Sequence, residues 1–103
     1  MGGVSLEIGL YITGKVREDG TILIPEDIRE TFRMEEGKYV NYKLVRHARI
    51  RDGSVKTRSI SRTVWERLTP DGALKIPKDQ LEIYDIREGD FVSIYLQEST
   101  REG

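Results

Sequence analysis

Apolar and polar residues alternate along several stretches of this chain, which is the pattern of a β-strand with one buried face. In the first stretch, residues 4–16, the apolar positions are Leu6, Ile8, Leu10, Ile12 and Val16. The same criterion predicts further strands at 21–24, 39–50, 55–68, 74–76 and 91–96. Because Gly14 interrupts the first stretch, we expect a bulge or kink at that position.

Turn and helix signals separate these strands. Asp-Gly pairs at 19–20, 52–53 and 71–72 predict tight hairpin turns, because glycine adopts a positive φ without steric cost. Pro25 and Pro77 end the two short strands, since proline has no N–H for a ladder but suits the first turn of a helix. Short helices are therefore predicted at 26–30 and from Pro77 to about Tyr84.

The sequence repeats itself: DGTILIP at 19–25 returns as DGALKIP at 71–77, 52 positions later. Without a gap, residues 11–44 match residues 63–96 at Asp19/Asp71, Gly20/Gly72, Ile24/Ile76, Pro25/Pro77, Asp27/Asp79, Glu30/Glu82, Glu36/Glu88, Gly37/Gly89, Val40/Val92 and Leu44/Leu96. A chain of 103 residues supplies one hydrophobic core rather than two. We therefore predict one domain over 1–103, in which repeat one (4–52) and repeat two (53–103) share a core.

Composition narrows the classes of function. The chain has no cysteine, which excludes disulfides and thiolate chemistry, and its single histidine, His47, is expected to be a surface residue of a strand. No apolar run is long enough to span a bilayer and no leader pattern begins the chain, so a soluble, cytoplasmic protein is predicted. With no phosphate-binding glycine loop and no catalytic or metal-ligand spacing, we expect neither an enzyme nor a cofactor.

Charge is unevenly distributed, although the net charge is only −1. Residues 43–67 carry two acids and eight basic residues, namely Lys43, Arg46, Arg49, Arg51, Lys56, Arg58, Arg62 and Arg67. A hairpin of this charge, turning at 52–53, would collect phosphates. The alternative is a solvated hairpin whose charges prevent edge-to-edge pairing. Trp65 and Tyr11 either stack on bases or pack on the sheet.

The segments Gly14-Lys15-Val16-Arg17, 20–25, Ile28-Arg29-Glu30 and 36–40 resemble the AbrB/MazE/SpoVT family of small DNA-binding regulators. The resemblance implies a mainly β fold with two short helices: a closed, pseudo-two-fold cradle-loop β-barrel of six to eight strands, built from two β-β-α-β repeats. Its topology would be of the swapped-hairpin, RIFT or double-psi type. Arg17 and Arg29 match two of the family's DNA-contacting arginines, whereas Thr21 stands in place of a third.

These observations lead to three hypotheses. The first is a non-enzymatic regulator or antitoxin-like module that binds double-stranded DNA through the basic hairpin, together with Arg17 and Arg29. The second is a barrel that binds a protein partner or forms a homo-oligomer without binding nucleic acid. The third is a small-ligand or nucleotide-binding barrel with a pocket formed by the loops at Glu36-Gly37 and Glu88-Gly89.

Overall fold

The structure, a computed structural model, describes residues 5–100. The strands and helices in this range are β1 (Ser5–Lys15), β2 (Thr21–Leu23), α1 (Glu26–Thr31), β3 (Tyr39–Arg51), β4 (Ser54–Arg67), β5 (Ala73–Lys75), α2 (Lys78–Ile83) and β6 (Phe91–Thr100). The prediction of a mainly β chain with two short helices is confirmed. The order β-β-α-β occurs twice, and the predicted repeat limits at residues 4 and 103 lie outside the described residues.

The strands form two antiparallel sheets. One sheet has four strands in the order β1-β6-β3-β4, and the other pairs β2 with β5. A single bridge between Leu68 and Leu74 connects β4 to β5, and the Arg17 N–H donates to the Thr21 carbonyl between β1 and β2. The predicted closed barrel is therefore not found. β2 and β5 have three residues each, which is too short to carry continuous ladders on both sides.

One cluster of buried side chains lies between the two sheets, and both halves of the chain contribute to it. The inner faces of β3 and β6 supply Val40, Tyr42, Leu44, Val92, Ile94 and Leu96, while β2, β5 and the residues after them supply Ile22, Ile24, Leu74 and Ile76. Ile28, Phe32, Leu81 and Tyr84 pack against this cluster from in and around the helices. The helices and the second sheet thus cover one face of the four-stranded sheet, which we call the core side; the opposite face is the outer face.

The bulge in β1 is not where the sequence predicts it. Gly14 pairs in regular register with Val92, whereas the register shifts between Glu7 and Leu10, where Gly9 has φ 64°. Position 14 requires glycine for a steric reason: a Cβ there would overlap the side chain of Ile22. The prediction of a bulge or kink at Gly14 was therefore wrong: the residue allows close approach of β2 to β1.

The β3–β4 hairpin projects from the body of the molecule. β6 begins at Phe91, which pairs with Ala48, so beyond that point β3 has only β4 as a partner. Residues 49–56 therefore form a two-stranded ribbon, which we call the ribbon. The molecule is accordingly elongated, with extents of 50 × 24 × 23 Å.

Candidate nucleic-acid interface

A bulge at the base of the ribbon decides which face each basic side chain occupies. The register of β3 shifts between Leu44 and Arg46 against both of its neighbours. Beyond the shift, His47 pairs with the buried Val92, and Arg46 pairs with Ser93. Directly paired residues point to the same face of a sheet. His47 therefore lies on the core side, and Arg46 lies on the outer face.

The core-side face of the ribbon and of the adjoining β4 residues is basic. Arg49 pairs with Lys56, Arg51 with Ser54, and Arg58 with His47, so these side chains share one face. A hollow of about 220 Å³ at the tip is lined by Arg49, Arg51, Asp52, Ser54 and Lys56. The structure thus places Arg49, Arg51, Lys56 and Arg58 on one face, whereas Arg46 of the same predicted set lies on the opposite face.

Three of these cations are available to a ligand. Arg51, Lys56 and Arg58 are exposed, and their side chains make no ion pair with any residue in the range 5–100. Unpaired surface cations on one face attract phosphate oxygens, and such contacts weaken with added salt. We call Arg51, Lys56 and Arg58 the cationic triad.

Arg49 is instead held by acids at the base of the ribbon. Its guanidinium donates to Asp90 Oδ2 at 2.9 Å from Nη2 and to the Asp85 carbonyl at 2.5 Å. His47 Nε2 lies 2.8 Å from the same Asp90 oxygen, and the Arg87 N–H donates to it at 3.0 Å. Burial by itself raises the pKa of Asp90, but the hydrogen bonds from Arg49 and His47 outweigh it and lower the pKa to about 2.

This cluster corrects one prediction from the sequence. His47 is not a surface residue, because only 7% of it is exposed and Asp90 contacts its ring. Asp90 is the buried acceptor that orients His47 and Arg49. No local sequence pattern predicts a contact between residues 47 and 90. The contact arises because β3 pairs with β6.

Arg17 and Arg29 lie around the Asp71-Gly72 turn and not on the ribbon. Arg17 Nη2 donates to Asp71 Oδ2 at 2.6 Å, and Arg29 Nε donates to the Ile24 carbonyl at 2.9 Å. The Arg29 guanidinium also occupies the space that a Cβ at Gly72 would need. Arg17 therefore links the first half of the chain to the second. Arg29 links α1 to the residue that follows β2, and its guanidinium also lies against Gly72 of the second half.

The remaining predicted residues are dispersed. Arg62 faces the core side and donates from Nε to Gln80 Oε1 at 3.3 Å, and the Arg67 guanidinium carbon lies 4.9 Å from the centre of the Tyr39 ring. Lys43 pairs with Tyr95, which places it on the outer face with Arg46. The ten predicted residues thus form a ribbon group, an outer-face pair and separate structural contacts.

The two loops that the third hypothesis places around one pocket line different cavities. Glu36 lines a cavity of about 450 Å³ beside α1, whereas Glu88 and Gly89 line a different one of about 490 Å³ with Lys15 and Arg17. The two loops therefore do not converge on one site. Among residues 5–100 no group of histidine, aspartate and glutamate side chains is arranged to hold a metal ion, and none of the helices there is long and apolar enough to cross a bilayer.

Comparison with known proteins supports the fold but not a family. No family model matches this sequence, and no curated protein does. The chain is similar to the solution structure of PHS018 from Pyrococcus horikoshii, with a TM-score of 0.67 and 19% sequence identity over 95% of this chain and 100% of that one. At this identity the similarity concerns the fold alone.

Proposed function

We propose that this protein is a non-enzymatic DNA-binding regulator or antitoxin-like module whose ribbon contacts the phosphates of duplex DNA. The observation that carries the proposal is the cationic triad: three exposed basic side chains on one face of the β3–β4 hairpin, two of them on the ribbon, without acidic partners in the described part of the chain. Clustering of this kind is costly to the free protein because like charges repel, and binding to a polyanion relieves that repulsion.

The two-stranded form of the ribbon supports duplex DNA as the ligand. The major groove of B-DNA is about 12 Å wide and admits a two-stranded β-ribbon. Arg51 and Lys56 lie near the tip, where they would meet the backbone first, and Arg58 lies further along β4. Contacts of this type provide affinity and orientation but little sequence discrimination.

The buried cluster of His47, Arg49 and Asp90 at the base of the ribbon also supports DNA binding, because it restricts the motion of the ribbon. Asp90 holds His47 and Arg49 in β3, so the start of the ribbon is anchored to the turn before β6. An anchored element loses less conformational entropy on binding than a free one, and more of the interaction energy therefore appears as affinity. In this proposal Arg49 is a positioning residue, and the cationic triad contacts the phosphates.

The test is a titration of a fluorescent DNA duplex followed by anisotropy at low and at moderate salt. We compare the native chain with a triple variant, Arg51→Gln, Lys56→Gln and Arg58→Gln. The matched control removes the same charge elsewhere, through Lys15→Gln, Lys75→Gln and Lys78→Gln. Salt-sensitive binding that only the ribbon variant loses supports the proposal. Equal loss in both variants, or no binding by the native chain at micromolar concentration, rejects it.

We also propose that the two halves derive from one β-β-α-β unit of the AbrB/MazE/SpoVT type. Support comes from backbone angles that recur 52 positions apart: φ is 51° at both Arg33 and Asp85, and Pro25 and Pro77 share φ −54°. A half that cannot bury its apolar face alone should fold only by pairing with a second copy. Residues 53–103 produced separately are thus expected to be unfolded or dimeric, and a stable folded monomer contradicts the proposal.

A second candidate function, binding of a protein partner or self-association, is favoured by one observation at the tip. Ile50 pairs with Val55 on the outer face of the ribbon, and the two side chains are 61% and 59% exposed. Exposed apolar pairs of this kind occur at interfaces. Sedimentation velocity of the native chain and of an Ile50→Thr, Val55→Thr variant tests it: a concentration-dependent dimer lost in the variant favours it, and a monomer throughout excludes self-association.

A further inference from the structure

The outer face of the four-stranded sheet carries exposed aromatic residues that the ribbon proposal does not use. Tyr11 is 66% exposed and Trp65 is 46% exposed, and each is on the face opposite to the core. Tyr11 and Tyr95 are in contact, with ring centroids 4.5 Å apart and an interplanar angle of 44°. Large aromatic surfaces that remain in water are candidates for stacking on a planar partner.

Strand register arranges this face in rows. Tyr11 of β1 pairs with Tyr95 of β6, Tyr95 pairs with Lys43 of β3, and Lys43 pairs with Thr63 of β4. Trp65 lies two residues along β4 from Thr63. With strands about 4.8 Å apart and a rise of about 3.4 Å per residue, Trp65 is roughly 12 Å from Tyr95 in the plane of the sheet. Lys43 therefore stands between two separate aromatic surfaces.

From the row of Lys43 toward the row of Lys15, the charge of this face suits a polyanion. The row beyond Lys43 contains Thr13, Ser93, Arg46 and Ser59, and the next contains Lys15, Phe91, Ala48 and Thr57, so neither row holds an acid. On the other side of Lys43, Asn41 pairs with both Trp65 and Glu98, and Glu98 pairs with Glu7, so the row of Trp65 holds two acids at its β1–β6 end. Lys43 and Arg46 make no ion pair with residues 5–100.

We infer that this face binds single-stranded DNA, with bases stacked on Tyr11 and Trp65 and phosphates at Lys43 and Arg46. We call these four residues with Tyr95 the sheet platform. Unspecific single-strand binding requires aromatic surfaces for the bases and cations for the backbone, and the sheet platform supplies both in alternation. It is a second surface, on the opposite side of the sheet from the cationic triad. The inference that this face binds a single strand does not depend on the proposed function. The choice of DNA over RNA does rest on it, because the ribbon is proposed to bind DNA.

The platform contains its own probe, because Trp65 is the only tryptophan of the chain. A base stacked on the indole should quench its fluorescence. The experiment is a titration of the native chain with oligo(dT) of about 12 nucleotides, a length within the site sizes of single-strand binders. We expect saturable quenching, about 5- to 150-fold weaker binding for Tyr11→Ala, and near-native binding for Tyr11→Phe, which keeps the ring.

The control is Ile83→Ala, which removes an exposed apolar side chain of α2 and should leave binding unchanged. Absence of quenching, equal affinity for Tyr11→Ala, or tighter binding of oligo(U) than of oligo(dT) overturns the inference. Quenching by oligo(dT) in a native chain that binds no duplex would reject the proposed function and retain the platform. Duplex binding without any quenching by oligo(dT) would do the reverse.

Discussion

The carboxylate of Asp90 and the ring of His47, which are 43 residues apart in sequence, meet with 2.8 Å between Oδ2 and Nε2. Both side chains are more than nine-tenths buried, and Asp90 also accepts hydrogen bonds from Arg49. The contact closes the base of the ribbon against the turn before β6. The orientation of the proposed DNA-binding element therefore depends on one buried acid.

Replacing that acid should destabilise the fold. Asp90→Asn removes the negative charge that His47 and Arg49 face, and replaces one of the two oxygens that accept hydrogen bonds from Arg49 by an NH2 donor. Removing one partner of a buried charge pair lowers the unfolding free energy by about 3 kcal/mol, because the other charge stays buried without compensation. Urea unfolding followed by circular dichroism measures it. Asp52→Asn at the exposed ribbon tip is the control, expected within about 0.5 kcal/mol of the native chain.

Stability should fall in acid, and Asp90 should account for part of the loss. Its pKa is about 2 in the folded chain and about 3.9 when unfolded, so its contribution is complete above pH 3.9 and disappears as the pH falls through 2. The contribution is about 2 to 3 kcal/mol. Hydrogen bonds from Arg87 and Thr69 likewise lower the pKa of Asp85 and of Asp71. Unfolding free energies from pH 5 to 2 should therefore decline less steeply in Asp90→Asn; an identical decline contradicts the assignment.

Tyr42→Phe should show how much the hydrogen bond between the two sheets contributes to the unfolding free energy. The fully buried Tyr42 hydroxyl of β3 donates to the Lys75 carbonyl of β5 at 2.8 Å, and burial raises the pKa of this phenol. Removing the hydroxyl leaves a carbonyl without its donor, at a cost of about 1 to 2 kcal/mol in unfolding free energy. Tyr11→Phe, on an exposed ring, should cost almost nothing. If both variants unfold at the same urea concentration, the hydrogen bond does not contribute.

The close approach of β1 and β2 predicts a coupled pair of substitutions. Gly14→Ala would place a methyl group where Ile22 lies, and overpacking of this kind costs about 1 to 3 kcal/mol. In an Ile22→Ala background that methyl group has room, so the same substitution should cost much less. A double-mutant cycle on unfolding free energy measures the coupling. Additive effects would show that strain at this contact is not the reason for the glycine.

The proposed DNA contacts predict a change in salt dependence. Each phosphate contact contributes about 0.9 to the slope of log affinity against log salt concentration. Replacing Arg51, Lys56 and Arg58 by Gln should therefore reduce the slope by roughly three. Duplex titrations at several salt concentrations measure it, with the Lys15, Lys75 and Lys78 variant as the control. A lower affinity with an unchanged slope would mean that the triad does not contact phosphates.

The basic residues illustrate how far sequence reasoning reaches. Their concentration in residues 43–67 and the turn at 52–53 predicted a charged hairpin, and β3 and β4 form that hairpin. Strict alternation from Leu44 would put Arg46 on the core side and His47 on the outer face. The bulge after Leu44 reverses this assignment, because a one-residue shift exchanges the faces of every following side chain.

The sequence by itself determined the order of strands, turns and helices, because alternation, Asp-Gly pairs and prolines act on neighbouring residues. Only the tertiary structure decided that two sheets form in place of a closed barrel, that Asp90 holds His47 and Arg49, and that Tyr11, Lys43 and Trp65 share an uncovered face. Those outcomes depend on which strands pair and in what register. Pairing between residues far apart in the chain is set by the packing of the whole core, which no local pattern encodes.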